Sequence, residues 1–161
     1  MQAKATSEEV VTSLLTASRV LVGVAARSLA EVESDVTVTQ FRTLVVLAAH
    51  GPVKQGAVAA HLGVNASTAL RMIDRLEHAG LVERRPNPRS RRELLVSLSD
   101  AGRLVVDRVT DRRRRELQTI VRRLAPQRRA AVVEALRDFA AAAGEPEPVA
   151  GTLWGWSLVG E

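Results

Sequence analysis

The fold of this chain is decided by residues 58–84, which read VAAHLGVNASTALRMIDRLEHAGLVER. Apolar side chains recur here with helical spacing, which predicts a short helix at about 54–62 and a second helix at 66–78. Gly63 lies between them, where a tight turn needs the backbone freedom of glycine, and Asn65 is placed to cap the second helix. Two short helices joined by a glycine-containing turn are the pattern of a helix-turn-helix.

The hydrophobic period changes directly after this stretch. Residues 81–85 and 93–98 have the composition of two short strands. Residues 86–92, PNPRSRR, lie between them and are rich in turn-forming and basic side chains. The sequence therefore predicts a β-hairpin with a cationic loop, which would be the wing of a winged helix-turn-helix.

Further helices flank this lobe on both sides. Each is predicted from the spacing of its apolar residues and from a residue that can begin it. These helices are 8–31, 39–50 with Thr39 as N-cap, 100–124 after Ser99, and 127–143 after Pro126.

The composition excludes several classes of protein. A chain of 161 residues can form one domain with a substantial core, and it contains no cysteine for a disulfide, a thiol redox site or a metal. We find no apolar run long enough to cross a membrane and no signal sequence, which predicts a cytoplasmic protein. The spacing of the three histidines favours no metal site, and no glycine-rich phosphate loop or nucleophile motif is present. We therefore expect neither an enzyme nor a bound cofactor or metal.

The charge points toward a polyanion, although weakly. The formal net charge is +5, which suits a nucleic-acid partner. Only Lys4 and Lys54 are lysines among the 23 cationic residues, so coding bias toward arginine is an alternative explanation. Position along the chain must therefore decide which arginines matter.

Residues 58–84 closely resemble the core of the MarR family of transcriptional regulators. The stretches 87–92 (NPRSRR) and 98–102 (LSDAG) resemble the wing of that family and the start of its fifth helix. Two positions depart from the family pattern: Leu70 stands where a threonine is common, and Ser90 where an aspartate is usual. The resemblance implies a mainly α fold with a small β-hairpin wing, built as a dimer.

The resemblance also implies how the chain is divided. Residues 1–161 would form a single domain with a winged helix-turn-helix lobe at about 36–98. Residues 8–31 and 100–143 would form the dimerisation helices, and residues 144–161 a tail containing Trp154 and Trp156. A monomeric helical bundle is the alternative to the homodimer. The tail would either dock on helical surface or have no fixed structure.

The expected partner is double-stranded DNA carrying an inverted repeat. The second helix of the motif would enter the major groove, with Ser67, Thr68 and Arg71 on its outer face and Arg75 nearer the phosphates. A solvated helix face is the alternative. The other candidate DNA-binding residues are Lys54 and Gln55 at the start of the preceding helix, Asn65 at the cap, and Arg89 and Arg91 in the wing.

One ion pair is expected to support the wing. Asp74 lies one turn beyond the outward-facing residues, and the family pattern places an arginine at Arg92. A bidentate pair between them would fix the angle of the hairpin to the helix. Alternatively, Arg92 contacts phosphate and Asp74 is solvated, while Arg84 and Arg85 are further candidates for phosphate contact.

The resemblance further implies a repressor that is released by a small ligand, often aromatic or phenolic. Its pocket is predicted from five residues on the first two helices, Arg19, Val22, Phe41, Val45 and His50. Ordinary core packing is the alternative explanation for these side chains. The rival function is an adaptor that uses the winged fold for protein contacts and does not bind DNA.

Overall fold

A computed structural model of the chain describes residues 5–32 and 36–144, without the side chain of Arg91. Both tryptophans and all but the first residue of the predicted tail lie outside these residues. In chain order the elements are α1 (Ser7–Ala30), α2 (Val38–His50), β1 (Val53–Lys54), α3 (Gln55–Leu62), α4 (Ala66–His78), β2 (Val82–Asn87), β3 (Ser90–Leu98), α5 (Asp100–Arg122) and α6 (Pro126–Ala142).

The fold is mainly helical with one small antiparallel sheet, as the sequence predicts. The sheet has the strand order β1-β3-β2. The short strand β1 was not expected, because only Val53 and Lys54 form it, opposite Val96 and Leu95. A two-residue strand has no alternation that a sequence could display.

The wing is longer and its turn is tighter than the sequence predicts. Residues 86–92 are not a seven-residue loop, because β2 extends to Asn87 and β3 begins at Ser90. Pro86 is tolerated within β2 because that strand lies at the edge of the sheet, and the register shifts directly after it. The arginines of this segment are therefore carried by hydrogen-bonded strands and a short turn.

Capping side chains fix where the helices begin. The Asn65 side chain accepts a hydrogen bond from the backbone N–H of Thr68 at 2.8 Å, so the predicted cap of α4 is confirmed. Gly63 has a positive φ of 66°, as the predicted turn requires. The predicted cap of α2 is wrong by two residues: Thr37 caps this helix, together with Gln40, and Thr39 lies within it.

The core lies within the lobe, between α2, α3, α4 and the sheet. Its fully buried side chains come from all of these elements and include Leu44, Leu47, Val58, Ile73, Leu76 and Val96. The helix α5 adds Val106 and Val109, and α1 adds only Leu29 to this cluster. The core is thus centred in the lobe, and side chains of α5 and α1 complete one side of it.

The start of α5 is packed tightly onto the lobe. A Cβ atom at Gly102 would lie 2.0 Å from the carbonyl oxygen of Leu81, so no other residue fits without a shift. The Ser99 hydroxyl donates to the Gly80 carbonyl at 2.6 Å and also accepts from the Gly102 N–H at 3.0 Å, which confirms Ser99 as the cap. These contacts fix the direction in which α5 leaves the lobe.

Two ion pairs join α1 to α5. Arg27 Nε lies 2.9 Å from Glu116 Oε1, and Arg112 Nη2 lies 2.6 Å from Glu31 Oε1. Both pairs involve exposed or half-exposed side chains, so each contributes little to stability. They nevertheless fix how the two helices lie against each other.

The terminal helices leave large apolar surfaces uncovered. No residue of α6 is buried. The first and last helices, α1 and α6, both carry large exposed apolar side chains. These are Val10, Val11, Leu15, Val20, Leu21 and Val22 on α1, and Val132, Val133, Leu136 and Phe139 on α6. A monomeric bundle would bury such residues, so the geometry favours a second chain as their cover.

The prediction that no apolar run is long enough to cross a membrane is wrong. By length and composition alone, α1 could cross one. An 18-residue window of α1 has a mean hydropathy of 1.5, and 6% of that window is buried. Between its large apolar residues, α1 carries mostly serine, threonine, alanine and glycine. These residues lower the mean hydropathy less than charged residues would. One such helix is weak evidence for a membrane span, because a helix that packs against another chain can have the same composition.

Candidate nucleic-acid interface

The helix α4 is strongly amphipathic. Ala69, Met72, Ile73 and Leu76 are buried on its inner face. The opposite face is exposed and carries Ser67, Leu70, Arg71, Asp74 and Arg75. This outward face contains the polar and basic side chains that the sequence assigns to base and phosphate contacts.

The first turn of α4 contains a small hydrogen-bond network. The side-chain oxygen Oδ1 of Asn65 accepts a hydrogen bond from the hydroxyl of Ser67 at 2.8 Å, in addition to its capping bond. Arg71 Nη2 donates to the hydroxyl of Thr68 at 3.3 Å. Asn65 is therefore occupied in positioning its neighbours, while Thr68 holds the guanidinium of Arg71 near the helix start.

The predicted ion pair between Asp74 and Arg92 is replaced by another. Arg84 on β2 donates a hydrogen bond from Nη2 to Asp74 and another from Nη1 to Glu77. The two carboxylates lie one turn apart on α4. The Arg84 side chain is only 16% exposed, whereas Arg92 is exposed and the ion pairs described for Asp74 do not include it. The expectation that Arg84 serves phosphate is thus also wrong, because its guanidinium joins the helix to the wing.

A local signal for this cluster exists in the sequence. Asp74 and Glu77 are three residues apart and therefore face the same side of α4. The chain reverses at Gly80, so the first strand after the helix runs back beside that face. An arginine in the middle of β2 is closer to both carboxylates than one on the return strand.

The start of α3 is less free than the sequence suggests. Lys54 Nζ lies 3.0 Å from Glu93 Oε1 on β3, so its charge is partly compensated. This hydrogen bond from Lys54 is the main cause of the lowered pKa of Glu93, and Asn87 adds a second one. Gln55 has its Oε1 atom buried without a hydrogen-bond partner among the described residues.

The wing tip places a single described arginine at the turn. Arg89 is exposed, and its backbone N–H donates to the Asn87 side chain at 3.0 Å. The side chain of Arg91 lies outside the description. Arg85, beside the turn-proximal end of β2, pairs with Glu83 at 2.6 Å on the exposed surface.

Five of the nine predicted DNA-binding residues fall into two groups. Gln55, Ser67, Thr68 and Arg71 lie where the starts of α3 and α4 meet, and Gln55 and Ser67 line the same surface pit. Arg89 lies in the wing turn at the far end of the hairpin. A helix face with a basic hairpin beside it is the arrangement that reads a major groove and its flanking backbone.

Comparison with known proteins covers both the lobe and the whole chain. The model of the MarR family matches residues 36–94, from the segment before α2 into β3. The crystal structure of RV1404 from Mycobacterium tuberculosis is 46% identical, covers 90% of this chain and 99% of its own, and superposes with a TM-score of 0.86. The chain belongs to the MarR family of transcriptional regulators.

Curated relatives match a shorter stretch. YfiV of Bacillus subtilis, an uncharacterized HTH-type transcriptional regulator, is 28% identical over 63% of this chain and 64% of its own length. The multiple antibiotic resistance protein MarR of Salmonella typhimurium is 33% identical over 48% of this chain and 54% of its own. The chain thus spans between half and two thirds of the length of these two relatives. The MarR family is a family of transcriptional regulators, which is not an enzyme class.

A cavity of about 240 Å³ lies between the lobe and the helices α1 and α5 of this MarR-family chain. Phe41 and Val45 line it, as predicted. The walls are otherwise apolar, and two arginines complete them; the remaining lining residues are Ala25, Leu29, Val38, Arg42, Val46, Val109 and Arg113. The cavity can therefore hold an apolar body and present cationic groups to it.

The other three predicted pocket residues do not line this cavity. Arg19 is exposed, and Val22 is 66% exposed because the inward stripe of α1 in this region runs through Ala25 and Leu29. His50 lies elsewhere and stacks on His61, with ring centroids 4.4 Å apart. Sequence reasoning missed Arg42 and Arg113, although Arg113 follows the buried Val109 by one helical turn.

The stacked histidines join the end of α2 to α3. The pKa of His50 is lowered, mainly by burial and also by the neighbouring His61. Its Nδ1 atom is buried without a hydrogen-bond partner among the described residues. The stack therefore favours a neutral His50.

Proposed function

We propose that this chain is a cytoplasmic transcriptional regulator that binds double-stranded DNA as a homodimer on an inverted repeat. The observation that carries the proposal is the outward face of α4. It presents hydroxyl and guanidinium groups from a helix whose inner face is fully packed. An α-helix with such a face fits the major groove, where base edges offer distinct donors and acceptors.

Arg71 is the strongest candidate for a base contact. Its guanidinium is exposed and held by Thr68 at 3.3 Å, near the N-terminal end of the helix. Arginine in this position can donate two hydrogen bonds to one guanine. Arg75 lies one turn further and suits a phosphate, while Arg89 suits the backbone or the minor groove beside the hairpin.

The dimer follows from the uncovered helices. The exposed apolar side chains of α1 and α6 lie outside the lobe, so a second chain can cover them without blocking α4. Two-fold symmetry then pairs the two lobes, which would bind half-sites whose centres lie about 10 base pairs apart. A second chain also explains the exposed apolar side chains of α1, so these side chains do not require a membrane.

We further propose that the regulator is a repressor released by a small amphipathic anion, aromatic or phenolic in the simplest case. The cavity of about 240 Å³ has an apolar lining from Phe41 and Val45 and two cationic side chains, Arg42 and Arg113. It lies where the lobe meets the helices that would set the distance between lobes. A ligand that favours another lobe spacing would lower DNA affinity by population shift.

Salt-dependent binding to duplex DNA tests the function. A regulator that neutralises phosphates releases counterions, so the logarithm of its binding constant falls linearly with the logarithm of salt concentration. Arg71→Ala is expected to weaken binding, whereas Arg114→Ala, an exposed arginine in the middle of α5, is the charge-matched control. An adaptor that binds only protein would show no salt-dependent duplex binding with either variant or the wild type.

A further inference from the structure

Leu70 is an unusual side chain for the outward face of α4. It is 41% exposed and stands beside Ser67, Arg71 and Asp74, which are all polar. Most other large exposed apolar residues lie on α1, α5 and α6, where a second chain can cover them. Leu70 lies away from those helices, on the face that would enter the groove.

Leu70 also forms one side of a shallow surface pit. The pit has a volume of about 210 Å³ and is lined by Gln55, Gly56, Ala59, Ala66, Ser67 and Leu70. Three of these residues are glycine or alanine, so the pit exists because α3 and α4 present small side chains to each other. A Cβ atom added at Gly56 would meet no atom of residues 5–32 or 36–144 within 4 Å.

The charges around the pit select a polyanion as its occupant. Arg71 and Arg75 are exposed on the same helix, and no acidic side chain among the described residues lines the pit. Asp74, the nearest carboxylate along the outward face, is already paired with Arg84. An apolar group carried by a polyanion therefore fits better than an apolar side chain of a protein.

Duplex DNA offers one such group in the major groove. The C5-methyl group of thymine is apolar and distinguishes thymine from cytosine and from the purines. We propose that Leu70 and this pit receive a thymine methyl group, so that the protein specifies thymine at one position of each half-site. This inference rests on the proposed DNA-binding function and adds a specificity-determining residue to it.

The test removes the methyl group from thymine without changing any hydrogen-bonding atom of the base. A duplex is first selected from a randomised pool by binding to the wild-type protein. Each thymine of that duplex is then replaced singly by deoxyuridine, and affinities are measured at fixed salt. Burying one methyl group changes affinity by about fourfold, so one thymine per half-site should show a loss of about that size.

Leu70→Ala identifies the side chain that reads the methyl group. This variant is expected to bind the selected duplex more weakly and to lose the difference between thymine and deoxyuridine at that position. Its salt slope should stay unchanged, since no phosphate contact is removed. Leu94→Ala is the matched control, because Leu94 is also 41% exposed but lies on β3, and it should keep the wild-type preference for thymine.

The outcomes separate this inference from the function on which it rests. If the pool yields no bound duplex, the proposed function fails and the inference with it. If a duplex is selected but deoxyuridine is tolerated at every position, only the Leu70 inference is overturned. It is also overturned if Leu70→Ala retains the full preference for thymine, or if Leu94→Ala loses it.

Discussion

The lobe buries its apolar side chains within one chain, whereas the terminal helices α1 and α6 leave most of theirs exposed. In the lobe, the buried side chains extend from Leu44 on α2 to Val96 on β3. The helix α6 buries none, and α1 buries only Val24, Ser28 and Leu29. Both regions are helical and rich in apolar residues, so composition alone does not distinguish them.

The two regions therefore suit different kinds of binding partner. A region with a complete core can present polar residues outward, which is what α4 does toward the proposed DNA. A region with uncovered apolar residues can be covered by a second chain, which is the role proposed for the exposed faces of α1 and α6. The contact between Gly102 and Leu81 fixes the direction in which α5, the helix that leads on to α6, leaves the lobe.

Gly102→Ala should have the largest effect. The new Cβ atom would lie 2.0 Å from the Leu81 carbonyl oxygen, a backbone atom that cannot rotate away. Overpacking of this kind costs about 1–3 kcal/mol and would also turn α5 away from the lobe. Urea denaturation should show the loss in the free energy of unfolding.

Gly56→Ala provides the matched control for that substitution. It makes the same chemical change in a helix, but no atom in the described part of the chain lies within 4 Å of the new Cβ atom. Alanine favours a helix over glycine by about 1 kcal/mol, so the variant should be as stable as the wild type or more so. Equal destabilisation by the two variants would contradict the packing described between Gly102 and Leu81.

Leu136→Glu on α6 should break the dimer while leaving the lobe folded. This side chain is exposed in one chain and would be covered by the partner, where a carboxylate is strongly unfavourable. We expect the dissociation constant of the dimer to rise at least about tenfold, which corresponds to about 1.4 kcal/mol. Sedimentation at micromolar concentration measures it.

Leu94→Glu is the control for the dimer prediction, because Leu94 is exposed on the wing and lies outside α1 and α6. This variant should remain a dimer. A wild-type protein that is monomeric at the same concentration would contradict the account of the uncovered helices, as would a Leu136→Glu variant that stays dimeric.

Arg84→Ala should weaken the lobe, whereas Arg92→Ala should leave its stability unchanged. Arg84 is largely buried and pairs with Asp74 and Glu77, so its removal leaves two carboxylates without their partner. Hydrogen bonds to charged groups contribute about 1.5–3 kcal/mol, and the exposure of both carboxylates places the expected loss at the lower end. A double-mutant cycle with Asp74→Ala should show coupling for Arg84 and none for Arg92.

The smallest expected effect is a dependence of stability on pH. The pKa of His50 is lowered from 6.5 in the folded state, mainly by burial, so the unfolded chain binds the proton first as pH falls. The stabilising contribution is therefore full above pH 6.5 and is lost as the pH falls below it. His50→Gln should remove this component from the free energy of unfolding, while substitution of the exposed His78 should not.

Much of the lobe could be predicted because its signals are local. The bounds of α4 follow from Asn65 and from three inward apolar residues, Ala69, Ile73 and Leu76, and Ser99 marks the start of α5 as Asn65 marks that of α4. The resemblance to the MarR family added the order of the elements and the wing. These features depend on residues within a few positions of each other.

The errors in the candidate site concern contacts between distant segments. Arg84 and Arg92 are both arginines near the helix in sequence, and only the path of β2 beside α4 decides which one pairs with Asp74. The residues that line the cavity could be predicted only if the rotation of α1 about its own axis were known. That rotation places Ala25 inward and Val22 outward. Helical spacing leaves that rotation open when apolar residues surround the helix.

The number of chains bound to one selected duplex, measured by sedimentation at two salt concentrations, tests the central claim most directly. Our account predicts two chains on one inverted repeat, with a binding constant that falls as salt rises because phosphate contacts release counterions. One chain per duplex at saturation, or an affinity that does not depend on salt, would contradict a dimeric regulator that reads DNA through α4 and the wing.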